Sequence, residues 1–285
     1  MGTLRGLLLL MRPPNSLMIG LGVVVGYMAA SRSLAIPAAR EPLLGFLTGF
    51  FISSFSMTVN DIKDVEVDRV NQPNRPIASG SVSPAAARVW AGALLILGLL
   101  ASTPTGPYTF VYSLVFAALG WLYSDALKRR GLAGNMAVAA SVAAPFPYGA
   151  LLVGAMADPY ILLLTSTAFL SALGREVVKG IPDVRGDMQV GHRTLAVTHG
   201  ERYAASVASI FFVAASLLSL MPALLGLAGQ LYLPSVLPPA LLHLYLAYRI
   251  SRRSEAGEAL RVKRMAIPAM ALGLLAFTLG GWGRP

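Results

Sequence analysis

Long apolar runs broken by short polar connections dominate the chain. Runs of about twenty mostly apolar residues, the length a helix needs to cross a bilayer, fall near 14–33, 43–60, 84–103, 107–124, 132–154, 159–177, 203–223, 232–250 and 264–282. The pattern predicts an all-α polytopic membrane protein of about nine transmembrane helices. Pro145 and Pro147 predict a break or bend in the fifth run, and Pro234, Pro238 and Pro239 weaken the eighth. Gly20, Gly22, Gly26, Ala29 and Ala30 let neighbouring helices approach the first run closely. Ser53, Ser54, Ser56 and Thr58 in the second serve either helix packing or the lining of a cavity.

Composition agrees with this reading. The 285 residues are 55% apolar and 13% charged, with a mean hydropathy of +0.65, against about 25% charged in soluble domains. The absence of cysteine excludes disulfides, thiolate nucleophiles and cysteine-held zinc or iron–sulfur sites. Three histidines, His192, His199 and His243, make a histidine-rich metal centre a poor reading; the two in the loop after the sixth run read as solvated or loop-packing.

The formal charge of +10 would suit nucleic acid in a soluble protein, but its distribution points to a membrane. Counting the N-terminal segment with the second, fourth, sixth and eighth connections accounts for 20 of the 23 Lys and Arg, and only Arg32, Arg40 and Arg284 fall on the other side. The positive-inside rule puts that segment and those connections in the cytoplasm and the C-terminus outside. The basic run around Arg249, Arg252, Arg253, Arg261, Lys263 and Arg264 reads as anchoring against anionic headgroups. The N-terminal segment lacks a small-residue cleavage site and reads as an interfacial lead-in to the first span.

The chemistry concentrates after the second and sixth runs. Asp61, Asp64 and Asp68, spaced three and four apart, stack on one face of a helix. The bland reading is a solvated charged helix end. The sharper one is a hard cation, since Mg2+ takes one or two carboxylates together with substrate phosphate oxygens. Arg69 and Arg75 follow within reach of a phosphate, which the planar guanidinium fork suits. Roughly 120 residues later Lys179, Asp183 and Asp187 repeat the theme, with Arg185 between the acids and Pro182 predicting a fresh helical turn after a break. Both sets fall on the predicted cytoplasmic side and read as two halves of one metal–phosphate site.

Asn60, Asp61, Asp64, Asp68, Arg75, Pro76, Ile77, Ser79 and Gly80 resemble the first aspartate-rich motif of the UbiA superfamily of intramembrane prenyltransferases. Lys179, Asp183, Gly186, Asp187, Gly191 and Thr194 resemble its second. The resemblance covers nearly the whole chain. It implies helices around a cytoplasm-facing central cavity, Mg2+ as cofactor (two ions), and a polyprenyl diphosphate as donor. It also implies a cell-membrane location and a lipid or aromatic acceptor. Asp61, Asp64, Asp68, Asp183 and Asp187 become the catalytic and metal-binding set, with Asn60 coordinating metal or orienting Asp64. Asn15, Arg69, Arg75, Tyr123, Lys128 and Lys179 become contacts to diphosphate or substrate. The stretch from Glu176 to Val197 looks most like the archaeal lipid branch, which prenylates geranylgeranylglyceryl phosphate; an aromatic acceptor such as 4-hydroxybenzoate is the alternative. The chain reads as one domain, 1–285, with loosely repeated halves 1–130 and 131–285.

Rival classes fit less well. A cation-coupled transporter carries its carboxylates near mid-membrane, whereas these lie at helix ends. A CDP-alcohol phosphotransferase keeps its aspartates in one tightly spaced run that is absent from this sequence.

Overall fold

The computed structural model describes residues 3–33, 40–189 and 191–283. Arg284 and the expected external connection at 34–39 lie outside the described residues. The described chain is helical throughout, and its helices gather into two compact units. The first comprises described residues of 1–24 and 38–126, and the second those of 25–37 and 127–285.

In the first unit, α1 (Thr3–Leu10) and α2 (Pro13–Ser31, whose last turns belong to the second unit) precede α3 (Arg40–Lys63) and the short α4 (Val65–Asn71). Helices α5 (Pro84–Ser102) and α6 (Pro107–Leu122) complete it. Starts and stops follow local chemistry. Ser83 caps α5 by accepting the Ala86 amide at 3.1 Å, with Pro84 in the first turn. Gly106, at φ +123°, ends the uncharged hairpin before Pro107. Helix α3 is the axis of the unit and packs on α5 and α6 through Ile52, Phe55, Val59, Ala91, Leu94 and Ala117. The approach to α6 is close enough that a Cβ on Gly120 would strike Ser56. Helix α1 closes the end that carries the aspartates, burying Leu10 with Ile77, Val82 and Ala87.

The second unit contains α7 (Leu132–Ala143), α8 (Pro145–Leu151), α9 (Pro159–Lys179), α10 (Val184–Gln189), α11 (Leu195–His199), α12 (Glu201–Leu224), α13 (Tyr232–Arg252) and α14 (Ala256–Gly281). Asp158 caps α9, accepting the Tyr160 amide at 2.9 Å. Near that end Tyr160, Tyr232 and Phe277 meet edge to face. Their hydroxyls find the carbonyls of Phe277 and Ser219. Mid-helix, His243 Nδ1 donates to the Pro239 carbonyl at 2.8 Å, and Nε2 accepts from the Ser171 hydroxyl at 2.6 Å. That bond ties α13 to α9. Toward the other end Val177, Val178, Ile181, Phe212, Leu246, Ile250 and Val262 form the core beneath the second motif.

Seven described helices are long and apolar enough to cross a membrane, against about nine expected. The two others have a physical explanation. The fifth run divides at Ala144 into α7 and α8, where Pro145 cannot extend the helical bonding. The eighth is continuous as α13 but carries three prolines, His243 and two arginines, which lower its hydropathy. Large apolar side chains such as Met18, Leu100, Val111, Leu162, Ile210, Leu217, Leu241 and Ile267 lie exposed along the spans. A surface of that kind belongs in hydrocarbon, because helices satisfy their own backbone groups there.

Candidate active site

The first motif forms where α3 yields to α4. Asp64 sits at the junction with φ −91° and ψ 4°, so the helix is interrupted at the middle aspartate. The i to i−4 bonding nevertheless continues across it: the Asp64 amide donates to Asn60 at 3.0 Å and the Asp68 amide to Asp64 at 2.8 Å. The predicted common face therefore survives a kink. Asn60 Nδ2 donates to Asp64 Oδ2 at 2.9 Å, the orienting contact expected from their spacing.

Asp61 and Asp68 are buried, and both meet arginine. Arg75 Nη1 lies 3.0 Å from Asp61 Oδ1 and 2.7 Å from Asp68 Oδ2, while its Nε donates to Gln72 at 2.9 Å. Arg12 forms an ion pair with the same Asp61 oxygen. The loop from Gln72 to Ser83 is tight, held by Ser79 to Arg75 and Val82 to Pro76 backbone bonds, and this brings Arg75 back over the helix end.

Two other expected contacts lie apart from this cluster. Arg69 points away and pairs with Glu66 at 2.8 Å, both well exposed. Asn15 is exposed in the first turn of α2, and it is Arg12, three residues earlier, that reaches the aspartates. Tyr123 begins a π-helical turn, Tyr123–Leu127, in which Asp125 pairs with Lys63. Such wide turns recur at functional sites. Lys128 follows, half-buried, in the second unit.

The second motif is built at the end of α9. The chain turns through Gly180 to Asp183 and resumes as α10, the fresh helical turn that Pro182 predicts. The Asp187 amide donates to the Asp183 carbonyl at 2.8 Å, so the two aspartates share a face. Asp183 is exposed. Asp187 is half-buried, with His192 Nδ1 at 3.3 Å from its Oδ1. Burial pushes the Asp187 carboxyl above the usual carboxylate range and the charge of Asp183 adds to that, while His192 and Thr194 pull the other way. His192 thus packs in the loop against the second aspartate of the motif. Lys179 pairs with Glu176 at 3.3 Å, and Arg175 with the same carboxylate at 2.9 Å.

Among the described residues no group of three or more acids and histidines converges as a finished metal cage. The donors nonetheless suit a hard cation. They are the carboxylate oxygens of the two motifs and the amide oxygen of Asn60, hard oxygen donors throughout. The sequence places Arg12 at the cytoplasmic end, level with the expected site, whereas Arg175, Glu176 and His192 have adequate local readings as helix end or loop.

Comparisons with known proteins identify the family. The model of the UbiA prenyltransferase family matches residues 19–279. The digeranylgeranylglyceryl phosphate synthase of Methanopyrus kandleri is 37% identical over 96% of this chain and 98% of its own. That of Archaeoglobus fulgidus is 35% identical over 96% and 94%. A solved structure of digeranylgeranylglyceryl phosphate synthase in membranes superposes with a TM-score of 0.86 at 28% identity, covering 99% of both chains. A UbiA homolog from Archaeoglobus fulgidus bound to DMAPP and Mg2+ shares the fold, with a TM-score of 0.68 at 19% identity over 96% of this chain and 99% of that one.

Proposed function

Because the chain belongs to the UbiA prenyltransferase family, we propose that it transfers a geranylgeranyl group from geranylgeranyl diphosphate to geranylgeranylglyceryl phosphate, forming an ether in the membrane. The observation that carries this reading is the pair of aspartate-bearing helix ends, each closing a long apolar helix and each furnished with basic side chains. Relatives named for this reaction, alike over nearly their full length, support the choice of acceptor.

Asp64, Asp68, Asp183 and Asp187 hold Mg2+, two ions in this reading, and Asn60 keeps Asp64 in its ligating orientation. Bound there, Mg2+ supplies Lewis-acid neutralisation of the diphosphate. Arg75 and Lys179, with Lys128, meet the charge that grows on the departing diphosphate oxygens. Arg69, Asn15 and Tyr123 belong to the rim over the substrate rather than to the aspartate cluster. The apolar helices shield the allylic carbon from water after the C–O bond breaks, and the acceptor's glycerol hydroxyl attacks C1 of the prenyl chain. Its proton leaves to solvent or diphosphate. No covalent enzyme intermediate is needed.

The finer architecture belongs to the same proposal. Nine spans form a single domain around a cytoplasm-facing cavity, with α7 and α8 together making the fifth span and α13 the eighth. The N-terminus and both motifs face the cytoplasm, and the C-terminus faces outside.

The test is product formation by purified protein in detergent with labelled geranylgeranyl diphosphate and Mg2+, offering geranylgeranylglyceryl phosphate and 4-hydroxybenzoate separately. Metal-dependent ether product from the glycerol phosphate, lost in Asp64→Ala and Asp183→Ala, is expected. Product from the hydroxybenzoate alone would move the protein to quinone synthesis. Turnover surviving both alanine changes would sink the site.

A further inference from the structure

Asp61 differs from its neighbours in the motif. Its side chain is 5% exposed, and one oxygen takes both Arg12 and Arg75, which are 29% and 21% exposed. The acid lies beneath and the cations lie above. Arg75 commits Nε and Nη1 to Gln72, Asp61 and Asp68, so its Nη2 has no protein partner among the described residues. Arg12 commits only Nη2, to Asp61.

The second unit contains the same arrangement. Glu176, 8% exposed, holds Arg175 at 2.9 Å and Lys179 at 3.3 Å, and these are 28% and 45% exposed. Arg175 Nε is buried with no hydrogen-bond partner. A buried donor left unpaired is costly, and such groups in native proteins call for a reason.

We propose that Asp61 and Glu176 are positioning carboxylates that hold pairs of cations outward for an anionic substrate, and that Arg175 thereby joins the groups that bind phosphate. The inference rests on the prenyl-transfer reading above. A buried acid already satisfied by two cations is a poor Mg2+ ligand, because coordination would require it to release them. It is a good anchor, because it fixes the direction of long side chains that would otherwise sweep freely. Fixing two cations on one acid also leaves net positive charge facing outward over Glu176. In the first unit Asp68 offsets that charge, and Arg12 brings the cluster of Asp61, Asp68, Arg12 and Arg75 to neutrality.

The experiment uses the full chain in detergent with Asp61→Asn, Glu176→Gln and Asp64→Asn. Mn2+ binding is measured by electron paramagnetic resonance with pyrophosphate present, and KM and kcat are measured for the donor. Asp61→Asn and Glu176→Gln are expected to keep Mn2+ affinity within about twofold and to raise donor KM at least about tenfold, as befits a broken buried charge pair. Asp64→Asn is expected to lose Mn2+. Arg12→Lys and Arg175→Lys, which keep charge and lose the fork, serve where the acid variants fail to fold; a donor KM raised at least about tenfold with Mn2+ affinity retained is expected of them too. Loss of Mn2+ from a folded Asp61→Asn or Glu176→Gln would make that residue a metal ligand and overturn the inference. Unchanged donor KM in all four variants would reduce the acids to structural pairs and overturn it too. Both results leave wild-type turnover intact, whereas a wild-type protein inert toward allylic diphosphates would overturn the functional reading and this inference with it.

Discussion

At the scale of single residues the site depends on which oxygen faces which donor. The Asn60 side-chain amide donates to Asp64 Oδ2 at 2.9 Å. Outer contacts of this kind commonly change metal affinity by about 10- to 100-fold when removed. Asn60→Ala is accordingly expected to raise the Mg2+ concentration for half-maximal turnover by about tenfold, with a smaller loss at saturating Mg2+. A titration of rate against Mg2+ checks this, and an unchanged midpoint would release Asn60 from the role. The spacing in the sequence made this pair visible, because four residues is one helical turn. The Arg12 to Asp61 pair spans 49 positions. No local period encodes a contact of that length, so the sequence alone does not pair the two.

At the scale of elements the sequence was most informative where helices break. Pro145 divides α7 from α8, Pro182 stands in the turn before α10, and Ser83 with Pro84 starts α5. Each follows from a missing amide or a capping hydroxyl, chemistry that one residue type carries by itself. The interruption at Asp64 has no such marker and was not visible. Cross-helix polar links were equally hidden. The Ser171 to His243 bond joins segments 72 positions apart, and the histidine alone gave no sign of its partner. Ser171→Ala leaves a buried ring nitrogen unpaired, a loss of about 1–3 kcal/mol. The expected result is a lower thermal midpoint in detergent with the Mg2+ dependence of the rate unaltered. A shift in metal dependence instead would connect this helix pair to the site.

For the whole molecule, composition settles the class, and the distribution of lysine and arginine predicts an orientation that labelling can read. The lack of cysteine makes the chain a clean background for it. Asn74 lies exposed in the loop after α4 and Thr103 in the hairpin before α6. In intact cells, Thr103→Cys is expected to react with a membrane-impermeant maleimide and Asn74→Cys only after the membrane is opened. The reverse pattern would invert the topology and place both aspartate motifs outside.

Arg12 has one more property. It holds φ at +45° between α1 and α2, a left-handed conformation that costs an ordinary side chain about 1–2 kcal/mol and glycine almost nothing. Folding alone would favour glycine there. At this bend the arginine side chain pairs with the buried Asp61, so the backbone cost falls on a residue that makes a partly buried ion pair. Glycine at 12 would relieve the backbone and remove the ion pair to Asp61, so backbone comfort and the pairing at the first motif pull this position in opposite directions.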